Sequence, residues 1–108
     1  MDLVRFALLL TLALPVAAHA QTPEYTILIK EHRFQPAELT VPSGKRIKLV
    51  IDNQDGTPEE FESHELRVEK IIPGGTKGTV NVGPLKPGSY PFFGDFHQDT
   101  AQGKLQAK

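Results

Sequence analysis

The 108-residue sequence contains no cysteine, no tryptophan and a single methionine, and its formal net charge is −1. Without cysteine the chain can form no disulfide, iron–sulfur cluster, thiolate zinc site or cysteine nucleophile. A net charge so close to zero lacks the basic excess that nucleic-acid-binding domains use against phosphates. Hydrophobic residues make up 39% of the chain and charged residues 23%, which is the composition of a globular protein. The length predicts one domain, because domains usually have about 100–150 residues.

The first twenty residues have the features of a secretory signal peptide. An apolar run covers Phe6–Ala18, which is shorter than the ~20 residues that cross a bilayer comfortably. Ala18-His19-Ala20 follows as an A-x-A cleavage pattern. We therefore predict a signal peptide at residues 1–20 and a mature domain at residues 21–108. A retained N-terminal anchor is the alternative interpretation of the same run.

Beyond residue 20, apolar residues recur with a period of two, which is typical of half-buried β-strands. Ile47, Leu49 and Ile51 alternate with polar residues, for example, and Gly-Pro clusters separate such stretches. Short strands with this spacing predict an all-β sandwich. The seven predicted strands cover residues 24–30, 37–41, 45–53, 64–71, 76–82, 88–93 and 103–107.

A carboxylate-rich stretch interrupts this pattern between Asp52 and Glu69. It contains seven acidic residues, and Arg67 is the one cation among them. If the predicted strand through Leu66 and Val68 extends back to residue 60, the even positions share its inward face. Glu60, Glu62 and His64 would then lie together at the inner rim of the sandwich. Like charges held this close need a cationic partner, and a metal ion is the simplest one.

A second cluster of potential ligands follows the aromatic run at residues 90–93. Asp95, His97 and Asp99 alternate directly after it. A single histidine beside phenylalanine is often only a packed core residue. Two histidine–carboxylate clusters at the ends of predicted strands favour one shared metal site instead.

This region resembles the ligand loop of the cupredoxins, the small copper-binding β-sandwich proteins. Their pattern is an aromatic strand, Cys-x-x-His, then Met or Gln about five residues later, together with an upstream histidine. The resemblance places His64 at the upstream position, His97 at the loop histidine and Gln102 at the axial position, with Gly94 in place of the cysteine. Residues 34–44 also resemble the second-strand signature of the family, and the likeness extends over residues 24–108.

Within the cupredoxins, the chain is most similar to the EfeO-type cupredoxin-like domains, in particular to the small periplasmic FtrB-like proteins. The similar segments are residues 58–66, 83–88 and 92–97. The resemblance implies a periplasmic location and a role in ferrous iron uptake. It further implies a copper-dependent oxidation step beside a periplasmic iron-binding protein and an inner-membrane iron permease.

Glycine at position 94 removes the thiolate that blue-copper centres require. The remaining imidazole, carboxylate and amide donors suit Cu(II), Fe, Zn or Mn. The predicted ligands of Cu(II), and of iron if iron binds, are His64, His97, Glu62, Glu60, Asp95 and Gln102. A second metal position that uses His32 with Glu31 or Glu59 stays open.

Three functions are compatible with these residues. The first is a metal-binding protein that aids ferrous iron uptake by copper-assisted Fe(II) oxidation. The second is a passive periplasmic carrier of copper or iron without redox turnover. The third is a metal-free interaction module on the same sandwich.

Overall fold

The computed structural model describes residues 21–108, so the predicted signal peptide lies outside the described residues. Within this range no helix has the length and apolar character needed to cross a membrane. Residues 21–108 form nine strands: β1 Glu24–Lys30, β2 Arg33–Gln35, β3 Glu38–Val41, β4 Ile47–Asn53, β5 Glu59–Ser63, β6 Val68–Ile72, β7 Lys77–Val82, β8 Gly88–Gly94 and β9 Gln102–Ala107. A short 3-10 turn at Asp95–His97 follows β8.

The strands form two sheets, which confirms the predicted all-β sandwich. The four-stranded sheet has the order β2-β1-β4-β7, and the five-stranded sheet has the order β3-β9-β8-β5-β6. The pairs β1–β4 and β3–β9 are parallel, and the other pairs are antiparallel. The inward side chains of both sheets form one apolar core, in which Phe34, Phe61 and Phe92 pack edge to face or tilted against one another.

The predicted strand over residues 64–71 is wrong at its beginning. The structure has two antiparallel strands there, β5 and β6, and the intervening residues 64–67 form a tight turn. Arg67 has a φ of 54°, a left-handed conformation that a strand does not use. The Ser63 hydroxyl accepts the Leu66 N–H at 3.1 Å and donates to the Pro91 carbonyl at 2.7 Å, which fixes the turn. The alternation of Leu66 and Val68 with polar residues indicated one strand through this segment, but the turn separates β5 from β6.

The faces of β5 are therefore the reverse of those predicted. Glu59, Phe61 and Ser63 point into the sandwich and are at most 1% exposed. Since successive residues of a strand point to opposite faces, Glu60 and Glu62 lie on the outer face of the five-stranded sheet. Strand β5 thus presents carboxylates to both of its faces.

Candidate metal centre

The inward cluster is built around the buried carboxylate of Glu59. Its Oε1 atom accepts the backbone N–H groups of Glu60 at 3.1 Å and Phe96 at 2.9 Å. Its Oε2 atom lies 2.6 Å from Nδ1 of His97, whose side chain is 24% exposed. A buried carboxylate needs such partners, since an unpaired charge is costly away from water. Glu59 therefore ties the start of β5 to the 3-10 turn and fixes one ring nitrogen of His97.

Gly94 provides the space that the Glu59 carboxylate occupies. A Cβ atom added at position 94 would lie 2.6 Å from Cδ of Glu59 and 2.7 Å from Cβ of Ala101. Real Cβ atoms are essentially never found this close to other heavy atoms. At the position where the cupredoxin pattern has cysteine, the carboxylate of Glu59 fills the place of the missing side chain.

His32 and Asp55 complete the inward cluster. The His32 ring is stacked on the His97 ring, with centroids 3.5 Å apart and an angle of 13° between the planes. The Asp55 carboxylate accepts the backbone N–H groups of Glu31 at 2.8 Å and His32 at 3.0 Å. Burial raises the pKa of Asp55, but these two hydrogen bonds and the nearby histidines outweigh it, so the net pKa lies below its usual 3.8.

The outward cluster consists of Glu60, Glu62 and Asp95. One carboxylate oxygen from each lies within 4.8 Å of the others. Glu60 is only 8% exposed, and Glu69 on the neighbouring strand pairs with Glu62, the next residue on the same face of β5. A side-chain hydrogen bond with Glu69, partial burial and the neighbouring carboxylates raise the pKa of Glu60 to about 7. The cluster has the oxygen donors and the unbalanced negative charge that a hard cation would satisfy.

The structure does not bring His64 to His97. His64 follows the last residue of β5, whereas His97 contacts the first. Five residues of extended chain correspond to roughly 16 Å. The His64 side chain is 74% exposed, with Nε2 3.7 Å from the Glu62 carboxylate and the ring beside Phe93. The expectation that both histidines lie at one end of the sandwich is therefore wrong, although a ligand role for each stays a prediction.

Gln102 also lies apart from the inward cluster. Its exposed side chain donates to the backbone carbonyl of Gln98 at 2.6 Å. The Gln98 side chain in turn donates to Asp95 at 2.7 Å. In this arrangement Gln102 stabilises the loop after the 3-10 turn, and its predicted axial role stays a prediction.

Three members of the inward cluster, Glu59, His32 and Asp55, are absent from the predicted ligand set, although His32 and Glu59 are candidates for the second metal position that stays open. A signal for Glu59 was present in the sequence, because Phe61 is the one large apolar residue of β5 and marks its inward face. Odd-numbered Glu59 shares that face. No comparable local signal identifies Asp55, since its contacts with residues 31 and 32 join segments 23 and 24 residues apart.

A model of the cupredoxin-like domain family matches residues 3–107. The chain belongs to the cupredoxin-like domain family. This cupredoxin-like chain is also 52% identical over 80 residues to RP394, an uncharacterized protein of Rickettsia prowazekii (strain Madrid E). The alignment covers 74% of the cupredoxin-like chain and 64% of RP394.

Solved structures share the fold of this cupredoxin-like protein at low sequence identity. Auracyanin A, a blue copper protein from Chloroflexus aurantiacus, matches with a TM-score of 0.70 and 15% identity, over 82% of this chain and 100% of its own. A purple cupredoxin from Nitrosopumilus maritimus matches with a TM-score of 0.59 and 16% identity, over 77% and 98%. These similarities confirm the predicted cupredoxin-like sandwich.

Proposed function

We propose that this cupredoxin-like protein binds Cu(II) at the inward cluster and promotes the oxidation of Fe(II) during ferrous iron uptake in the periplasm. The observation that carries the proposal is the Glu59–His97 pair. A buried carboxylate fills the space beside Gly94 and lies 2.6 Å from a histidine nitrogen. The copper proteins among the structural relatives support the choice of metal.

The donors of the inward cluster fit Cu(II) but not a blue-copper centre. The chain has no cysteine, and the Glu59 carboxylate takes the space of a side chain at position 94. Imidazole nitrogen and carboxylate oxygen are donors that Cu(II) accepts. Glu59 and His97 would hold the ion. When bound, Cu(II) would supply the one-electron acceptor for each Fe(II), with dioxygen as the final oxidant.

Fe(II) is the proposed substrate of the outward cluster. Carboxylate oxygens are hard donors and favour Fe(III) over Fe(II), which makes loss of an electron easier. Strand β5 places the two clusters next to each other, because Glu59 points inward and Glu60 outward. Asp95 and His97 repeat this relation on the 3-10 turn, with contacts to the outward and the inward cluster respectively. The role of the chain is to hold the site for Fe(II), the electron donor, and the site for Cu(II), the electron acceptor, on opposite faces of one strand.

The test is Fe(II) oxidation by the copper-loaded domain, compared with an equal amount of free copper. We expect Glu60→Gln and Glu62→Gln to raise the Fe(II) concentration needed for half-maximal rate without changing Cu(II) affinity. We expect Glu59→Gln and His97→Ala to weaken Cu(II) binding itself. Glu38→Gln, on the far edge strand β3, is the matched control and should behave like wild type.

Two outcomes would decide against this proposal. If the loaded domain is no faster than free copper but still binds metal, it is a passive carrier. If it binds neither Cu(II) nor Fe(II), the metal role is wrong altogether.

We further propose that the Fe(III) product passes to a periplasmic iron-binding protein and an inner-membrane iron permease, in line with the resemblance to FtrB-like proteins.

A further inference from the structure

The turn between β1 and β2 has an unusual backbone. Glu31 and His32 have φ values of 53° and 56°, and Lys30 pairs with Arg33 on either side of them. Two-residue hairpin turns with positive φ at both positions favour Asn-Gly, because other side chains are crowded in this conformation. Glu-His persists here only because surrounding contacts hold it.

Asp55 supplies those contacts from the loop between β4 and β5. Its two carboxylate oxygens accept one N–H group each from Glu31 and His32. Asp55 is itself fixed, since its N–H donates to Oδ1 of Asn53 at 3.1 Å. Asn53 is fully buried and its amide donates to the backbone carbonyl of Ile72 at 3.0 Å. The strained turn is therefore attached to the interior of the sandwich.

The left-handed conformation of this turn places the His32 ring over the His97 ring. The lone pair of an imidazole nitrogen lies in the plane of its ring. Two nearly parallel rings 3.5 Å apart therefore direct their lone pairs side by side, not towards one point. His32 in this position covers a face of the His97 ring and does not share an ion with it.

We propose that Asp55 and His32 are positioning residues for the metal-binding ring of His97. Asp55 holds the Glu31–His32 turn in its left-handed conformation, and His32 fixes the plane of His97 by stacking. In the metal-free protein, Glu59 also holds the edge of the same ring through its 2.6 Å contact with Nδ1 of His97. This inference rests on the proposed metal role of His97.

The first test uses Cu(II) alone as the probe, with affinity measured by competition and histidine nitrogens counted by pulsed EPR. We expect His32→Ala and Asp55→Asn to lower Cu(II) affinity by about 10–100-fold, as for other residues that orient a ligand. His32→Phe keeps a ring without nitrogen and should retain wild-type affinity and the same nitrogen count. Glu31→Gln, in the same turn, is the control and should have no effect.

The second test needs no metal. NMR of the metal-free protein should show His97 ring signals displaced by the stacked ring, and both His32→Ala and Asp55→Asn should shift them. Unchanged signals in Asp55→Asn would overturn the inference, as would a histidine nitrogen lost in His32→Phe. If His97→Ala binds Cu(II) like wild type, the proposed metal role of His97 is wrong, and the positioning role of Asp55 and His32 is wrong as well. If His97→Ala weakens binding and His32→Ala does not, only the positioning role is wrong.

Discussion

At the scale of single residues, the absence of a side chain at position 94 decides which donor atoms the inward cluster can offer. Position 94 has no side chain, and the carboxylate of Glu59 enters the space from the neighbouring strand. A thiolate gives copper its intense charge-transfer band, whereas imidazole and carboxylate donors give weak colour. The donor atoms that the inward cluster can offer to a metal ion thus depend on one glycine.

The close approach at Gly94 predicts an effect on stability. We expect Gly94→Ala to lower the free energy of unfolding by about 1–3 kcal/mol, because the new methyl group overpacks a filled site. Gly56→Ala is the matched control, since an added Cβ there meets no atom within 4 Å. Chemical denaturation of the metal-free variants measures both. Equal losses at the two positions would show that the Glu59 contact is not the cause.

The donor atoms of Glu59 and His97 predict the absorption spectrum of the Cu(II) form. We expect the Cu(II) form to lack an intense blue band and to show weak bands of nitrogen and oxygen donors. Absorption spectroscopy of the purified domain, with His97→Ala as the control that lacks the imidazole, measures this. An intense band near that of blue-copper proteins would contradict the structure of the centre.

Asp55 gives the metal-free protein a dependence on acid pH. Its pKa is lower in the folded state than in the unfolded chain, so its stabilising effect is present above the unfolded value. The effect disappears as the pH falls through the folded value. We expect wild type to lose more stability on acidification below about pH 4 than Asp55→Asn does. Parallel stability curves for the two proteins would show that the hydrogen bonds to residues 31 and 32 contribute nothing.

At the scale of elements, the pairing of β5 with β6 brings carboxylates together. Glu60 and Glu69 approach each other on the outer face, and Glu62 and Asp95 add to the negative charge. Such a pairing is stable when a proton or a cation is shared. The sheet therefore keeps a place for positive charge next to the inward cluster.

The raised pKa of Glu60 predicts a pH dependence of stability opposite to that from Asp55. Its pKa is raised from 4.5 to about 7 in the folded state, so its contribution to stability is present below the unfolded value and is lost as the pH rises through 7. We expect Glu60→Gln to be more stable than wild type at alkaline pH, with the difference vanishing in acid. Thermal unfolding of both proteins measures this, with Glu38→Gln as the control. A difference that does not depend on pH would exclude the carboxylate pair as its cause.

The elements also show which parts of the structure the sequence could predict. Six of the seven predicted strands coincide with observed ones, because alternation in segments such as Ile47–Asn53 reports directly which face is buried. The turn at residues 64–67 was missed because its stabilising contact, Ser63 to Pro91, spans 28 residues. His97 was predicted as a ligand from its local pattern, and that role stays a prediction. Its contacts with Glu59 and His32 depend on strand register and could not be found in the same way.

At the scale of the whole molecule, the last strand lies in the interior of its sheet. Strand β9 is between β3 and β8, and its parallel partner β3 begins about 60 residues earlier in the chain. Leu105 and Ala107 of β9 belong to the core. Both edges of β9 are hydrogen-bonded to neighbouring strands, so without β9 the strand β3 has no partner in the five-stranded sheet.

This placement predicts the effect of a truncation. We expect a chain that ends before Gln102 to be unfolded, because it leaves β3 and β8 without a shared partner and removes Leu105 from the core. Circular dichroism of the truncated chain measures this. A control that lacks only Lys108 should fold, since it retains all of β9. A folded truncated chain would show that the four-stranded sheet and the three strands β8, β5 and β6 suffice for folding.

The interior position of β9 also has a consequence for the order of events during synthesis. The ribosome makes the chain from its N-terminus, so β3 has no neighbour in its sheet until β9, about 60 residues later, has been made. The residues of the inward and the outward cluster are all made before β9 and have no completed sheet around them until then. A metal ion would therefore meet the assembled inward cluster only after β9 has been made, and a shorter nascent chain would offer it side chains that are still far apart.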